Sequence, residues 1–192
     1  MGLLAHWPLN GDTNDISGNG NHATNVGATI DADGIRGQSY LFNNLYAVAH
    51  GNTALHISTP ITTTTGSYTV MGWASEATSG QIIGGNPPLY NGLSLYFEGT
   101  TLKANANTPA PVNGQAAQAT GVLNQWNHCA GVFDVENKTI SVYVNGELRG
   151  QNTNWNGSYN ASSALWIGTD DVTAPEYNYK GRLNDIRVYD HA

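Results

Sequence analysis

The chain has 192 residues, and seven Lys and Arg against fourteen Asp and Glu leave a formal net charge of −7. Charged residues make up 11% of it, against about 25% in an average soluble domain, and no Lys/Arg cluster exists to replace the counterions of a phosphate backbone or an anionic membrane, which excludes nucleic acid as a partner. Cys129 is the single cysteine, which excludes an intrachain disulfide and a zinc site with two or more Cys ligands.

The first eight residues, Met1-Gly2-Leu3-Leu4-Ala5-His6-Trp7-Pro8, lack the basic start and apolar run of a secretory signal. No stretch approaches the roughly 18 apolar residues needed to insert into a membrane. Period-2 patterning bounded by Gly, Asn and Pro predicts strands over Leu3–Leu9, Thr24–Ile30, Ser39–Asn43, Tyr46–Ala49, Tyr68–Ala74, Gln81–Ile83, Leu93–Glu98 and Thr101–Ala104. Asn105–Leu123 reads as irregular loop, and Trp126–Asp134 as a further strand. The clearest hairpin follows: Ile140, Val142 and Val144 share one face, and Asn145-Gly146 supplies the two positive φ values of a type I′ turn before Glu147–Arg149. Gln151–Ser163 reads as a long loop, and Ala164–Ile167 and Arg182–Tyr189 as the last strands. Many short strands with frequent turns predict an all-β, antiparallel two-sheet β-sandwich of the jelly-roll type.

Four segments in order resemble a known family. They are His6-Trp7-Pro8-Leu9-Asn10-Gly11-Asp12 with Asp15-Ile16-Ser17-Gly18-Asn19-Gly20-Asn21-His22; Tyr68-Thr69-Val70-Met71-Gly72-Trp73; Trp126-Asn127-His128 through Val144-Asn145-Gly146; and Gly181-Arg182-Leu183-Asn184-Asp185-Ile186-Arg187-Val188-Tyr189-Asp190. The chain thereby resembles the laminin G-like jelly-roll domains of the concanavalin A-like lectin/glucanase superfamily, and residues 1–192 read as one such domain. The resemblance implies two curved, stacked antiparallel sheets with the terminal strands adjacent. It implies glycan or protein binding, often with one calcium, although some relatives are glycoside hydrolases or polysaccharide lyases.

In that family an acidic residue at the position of Asp15 and one in the final strand, here Asp185, often sit near a structural calcium; Asp12 and Asn19 are weaker candidates. The loop Asn10–Asn19 is rich in the oxygens that calcium takes, but Asx-turns are the commonest use of such residues. Asp170-Asp171 is a second, weaker cation candidate. A glycosidase needs two carboxylates in a cleft, and the same-strand pairs Asp31/Asp33 and Asp134/Glu136 sit beside turn signals. His128 and Cys129 alternate on one strand and so point to opposite faces. No catalytic residues are assigned, and the chain reads as a non-enzyme.

Sugar sites combine exposed aromatics with polar groups. Trp155 and Tyr159 in the Gln151–Ser163 loop, Tyr90 beside Pro87-Pro88, and Tyr177 are the candidates, with Tyr179 similar. Trp155 could instead fold back and cap the sandwich. Trp7, Trp73, Trp126 and Trp166 lie within strand patterns and are assigned to the core.

The leading functional expectation is a non-catalytic surface or display module. Having its own Met1 and no signal peptide, it would be a virion decoration or fibre-type protein docking on a capsid or fibre assembly, displayed as a symmetric homo-oligomer. The alternative is a calcium-dependent, lectin-like adhesion module of a secreted bacterial protein, bound to glycans. Its location is accordingly the virion surface or the extracellular space.

Overall fold

The structure, a computed structural model, describes residues 2–43, 53–61, 66–75, 79–85, 92–107, 115–120, 125–160, 164–169 and 178–192. These contain fifteen strands and no helix. In chain order they are β1 (Leu3–Trp7), β2 (Thr24–Val26), β3 (Thr29–Gly34), β4 (Gly37–Asn43), β5 (Ala54–Ile57), β6 (Tyr68–Ser75), β7 (Gly80–Gly85) and β8 (Gly92–Glu98). Next come β9 (Thr101–Asn107), β10 (Gln115–Ala119), β11 (Asn127–Asp134), β12 (Thr139–Val144), β13 (Glu147–Asn152), β14 (Leu165–Ile167) and β15 (Lys180–Tyr189).

Among the described residues they form two antiparallel sheets. The first has the order β13-β12-β11-β6-β15-β4-β3, with β1 also paired to β15; the second has the order β10-β9-β8-β7-β14-β5-β2. This is the two-layer sandwich that the patterning predicts. The core lies between the sheets because alternate residues of each strand point inward. Phe133, Ile140 and Val142 of the first sheet are fully buried, as are Leu55, Leu95 and Ile167 of the second. Burying a side chain of this size contributes roughly 1.5–3 kcal/mol. Cys129 belongs to this layer, and burial pushes its thiol up to about 12. His128, one residue earlier, faces outward against Trp73.

The predicted hairpin is present. Asn145 and Gly146 adopt φ values of 53° and 84°, and the Asn145 Oδ1 accepts a hydrogen bond from the His128 amide at 2.9 Å. The terminal strands are neighbours, since Leu3 faces Tyr189 and Trp7 faces Ile186.

Three expectations are corrected. Asn105–Leu123 is not wholly irregular, because β10 pairs with β9 from Gln115↔Ala106 to Ala119↔Leu102. Ala54–Ile57, not anticipated as a strand, pairs with both β2 and β14. The predicted strand Thr24–Ile30 divides at Gly27, and its halves join different sheets. Tyr46–Ala49 lies outside the described residues.

Candidate functional site

The outward face of the second sheet gathers a row of side chains that the core does not use. In β14, Leu165 and Ile167 are buried, so Trp166 between them must point the other way. Trp166 stands opposite His56 on one side and Gly84 on the other. The indole and the imidazole stack, with ring centroids 4.2 Å apart and planes 29° apart. Both rings are half-buried. The indole Nε1 is buried and has no hydrogen-bond acceptor, so ring packing holds the side chain.

On the other flank Gly84 is itself buried, and the side chains of Gln81 and Ser94, 2% and 7% exposed, cover its backbone. A Cβ there would lie 2.5 Å from Gln81 Oε1 and 2.8 Å from Ser94 Cβ. Gln81 is fixed from behind, its Nε2 donating to the Thr169 carbonyl at 2.8 Å. Ser94 faces Asn105 on β9, and its hydroxyl donates to the Asn105 carbonyl at 3.4 Å. A parallel row runs Gln81, Tyr96, Lys103 and Gln118 across β7 to β10. Lys103 Nζ is paired with the Glu98 carboxylate. The row ends at a groove of about 540 Å³ lined by Gln118, Gln151, Asn152, Thr153 and Asn154. A half-buried aromatic ring on a face that ends in a groove lined by amides and a hydroxyl is an arrangement suited to a sugar, which offers both an apolar face and hydroxyls.

The aromatics chosen from the sequence do not build this face. Trp155 and Tyr159 are 2% and 3% exposed. Trp155 donates its indole hydrogen to the Ser158 carbonyl at 3.0 Å, and Tyr159 its hydroxyl hydrogen to the Gly66 carbonyl at 2.7 Å. They cap the sandwich, since loop aromatics gain more by covering core than by facing water. Tyr179 is also fully buried. Tyr90 and Tyr177 lie outside the described residues, as does Asp170-Asp171. Trp7 is fully buried as expected, but Trp73, Trp126 and Trp166 are half-buried rather than core. The sequence signal for Trp166 was its place between two inward-facing aliphatics.

Two of the proposed calcium ligands, Asp15 and Asp185, both contact His6. Asp15 accepts hydrogen bonds from the amides of His6, Ser17 and Asn21 and from the Ser17 hydroxyl, all at 2.8–2.9 Å. Burial alone would raise its carboxyl, but these donors hold it below the ordinary value of 3.8. Asp185, at φ 54° in the bulge of β15, accepts hydrogen bonds from Nε and Nη2 of Arg187 and lies 2.6 Å from His6 Nε2. Asp12 accepts from the Asn14 amide, and Asn19 donates its Nδ2 to the carbonyls of Leu3 and Leu4.

Beside them the carbonyls of Pro8, Leu9 and Gln38 converge on Asn184 Nδ2, at 2.8, 3.4 and 2.9 Å. These oxygens face N–H donors and a guanidinium. The residues therefore do not fit a calcium ion, and among the described residues no group of three or more His, Cys, Asp or Glu could hold a metal. They tie β1 to β15 and leave a small pocket of about 210 Å³ between His6, Asn10, Ile16 and Arg36. The carboxylate pairs considered for hydrolysis serve turns: Asp31 accepts from the Asp33 amide, and Asp134 from Asn137.

Comparison with known proteins agrees with this architecture. The laminin G family model described as the concanavalin A-like lectin/glucanases superfamily matches residues 49–192. No curated protein sequence matches the chain significantly. Among solved structures, the binding domain of Paraclostridial Mosquitocidal Protein 1 superposes with a TM-score of 0.77 at 13% identity, covering 100% of this chain and 49% of that one. Domain 4 of the extracellular arabinanase AbnA from Geobacillus stearothermophilus, solved with arabinotriose, gives 0.71 at 21% identity, covering 100% and 93%. A structure of botulinum neurotoxin type C, whose cell entry depends on two ganglioside molecules, gives 0.73 at 11% identity, covering 99% and 48%. The chain thus spans about half the length of the toxin chains it matches. At these identities the likeness is one of fold; with the family model over three quarters of its length, the chain belongs to the laminin G-like family of the concanavalin A-like lectin/glucanases superfamily.

Proposed function

We propose that the chain is a non-catalytic carbohydrate-binding module whose glycan lies on the outward face of the second sheet, over Trp166. The observation that carries this reading is the half-buried Trp166 ring, stacked on His56 on the outward face of the second sheet. The described neighbours support it: one is an arabinanase domain solved with arabinotriose, another a toxin dependent on gangliosides. An extracellular or virion-surface location goes with such a role.

The reading as a capsid or fibre component docking on a protein assembly rests on composition, and none of the neighbours described speaks for it. It predicts a closed homo-oligomer in light scattering, whereas the glycan reading requires none. A glycan array probed with the wild-type chain and with Trp166→Ala is the test. Specific spots that disappear in the variant, at unchanged folding, are expected. An array without specific spots, or one that Trp166→Ala leaves intact, overturns the reading.

A further inference from the structure

The distribution of charge narrows the ligand class of this same site, and the inference rests on the glycan reading above. The chain has seven Lys and Arg in all, and every one lies in a described segment. Arg36 is in the turn between β3 and β4, Lys138 in the turn between β11 and β12, Arg149 on β13, and Lys180, Arg182 and Arg187 on β15. All of these elements belong to the first sheet. Only Lys103 stands on the second, and its ammonium is already engaged by Glu98. Recognition of a carboxylate calls for Arg or Lys, or a cluster of donors at a charged site. Apart from the Lys103–Glu98 pair, the described residues of the Trp166 face offer none of these, on a chain of net charge −7 that repels anions at a distance.

What it does offer is uncharged. The groove at the β10–β13 edge is lined by the amides of Gln118, Gln151, Asn152 and Asn154 and the Thr153 hydroxyl. Amides and hydroxyls pair with sugar hydroxyls as both donors and acceptors. From β14 to β10 there are four strand steps, about 19 Å at the usual spacing, a distance that takes several sugar residues. We propose that the ligand is an uncharged oligosaccharide running across the strands from Trp166 to the amide-lined groove.

Isothermal titration would use neutral pentose and hexose oligosaccharides of increasing length, together with matched chains carrying a uronic or sialic acid, each at low and high salt. Neutral chains are expected to bind at least about tenfold more tightly than their acidic counterparts, since a carboxylate desolvated on this face without a cationic partner costs at least about that factor. Their affinity should not change with salt. Gln118→Ala should weaken the longer chains several-fold and leave the shortest unchanged. Preference for the acidic chains with salt-sensitive affinity, or a Gln118→Ala effect independent of length, overturns the inference. If Trp166→Ala abolishes binding of an acidic chain, the site stands and only the ligand class falls. If binding of every probe survives Trp166→Ala, or no probe binds, both readings fall.

Discussion

Trp166 and His56 face each other across neighbouring antiparallel strands, and their rings stack at 4.2 Å on the outward side of the second sheet. The imidazole fixes the plane in which the indole is presented, because the indole nitrogen makes no hydrogen bond of its own. An aromatic contact of this kind contributes about 0.5–1.5 kcal/mol beyond its area. His56→Ala should therefore keep the fold and weaken glycan binding by roughly three- to tenfold, measured by titration calorimetry. An unchanged affinity would mean that the indole is positioned by something else.

Trp155 should behave in the opposite way. Its indole lies under the sandwich cap with Tyr159, which meets Tyr68 edge-on at 6.2 Å. Trp155→Ala is expected to cost about 3–5 kcal/mol, seen as a fall in Tm of roughly 6–20 °C. Glycan affinity measured well below that Tm should stay at the wild-type value.

Asn184 occupies the junction where β15 changes partner from β4 to β1. Its neutral amide satisfies three backbone carbonyls, the place a cation would otherwise take. Asn184→Asp replaces the donor with a fourth oxygen in a buried site, at an expected cost of at least about 3 kcal/mol. Calcium should recover part of that loss in the variant and leave the wild-type Tm unchanged. A wild-type Tm that rises with calcium would contradict the assignment of the amide to this role.

Acid should destabilise the protein in two steps. Burial pushes the His128 imidazole below its usual 6.5, against the opposing pull of Asp185 and with the help of Arg187. The folded state therefore favours neutral His128, and stability present above pH 6.5 is lost as pH falls below it. Asp15, held below 3.8, favours its ionised form, so its contribution is present above that value and lost as pH drops through the lowered one. Thermal melts from neutral pH downward should show both losses, and His128→Gln should remove the first. A Tm that rises between pH 7 and 5 would contradict the sign.

Much of this was legible in the residues. Alternation within the Trp126–Asp134 run put Cys129 and His128 on opposite faces, and Asn145-Gly146 announced its hairpin. The same rule applied to Leu165-Trp166-Ile167 turns Trp166 outward, but assigning the aromatic to the core by residue type concealed it. For Trp155, the absence of a strand pattern left its direction open, and only the open end of the sandwich decided it. β10, Gln-Ala-Ala-Gln-Ala, contains no β-branched residue, and its strand state comes from pairing with β9. The loop around Asp15 was correctly seen as oxygen-rich and turn-forming. The Asp15 oxygens met the nearby amides of His6, Ser17 and Asn21, whereas the partners of Asp185 and of the Pro8 and Leu9 carbonyls, Arg187 and Asn184, were set by the fold.

The most direct test of the account follows the five tryptophan indole N–H signals by NMR while an oligosaccharide selected on the array is titrated in, with Trp166 assigned through Trp166→Phe. The account predicts that the Trp166 signal shifts most, and that Trp7 and Trp155, buried in the core and the cap, stay in place. A ligand that moves Trp73 or Trp126 and leaves Trp166 still would contradict it, and would place the binding face on the first sheet.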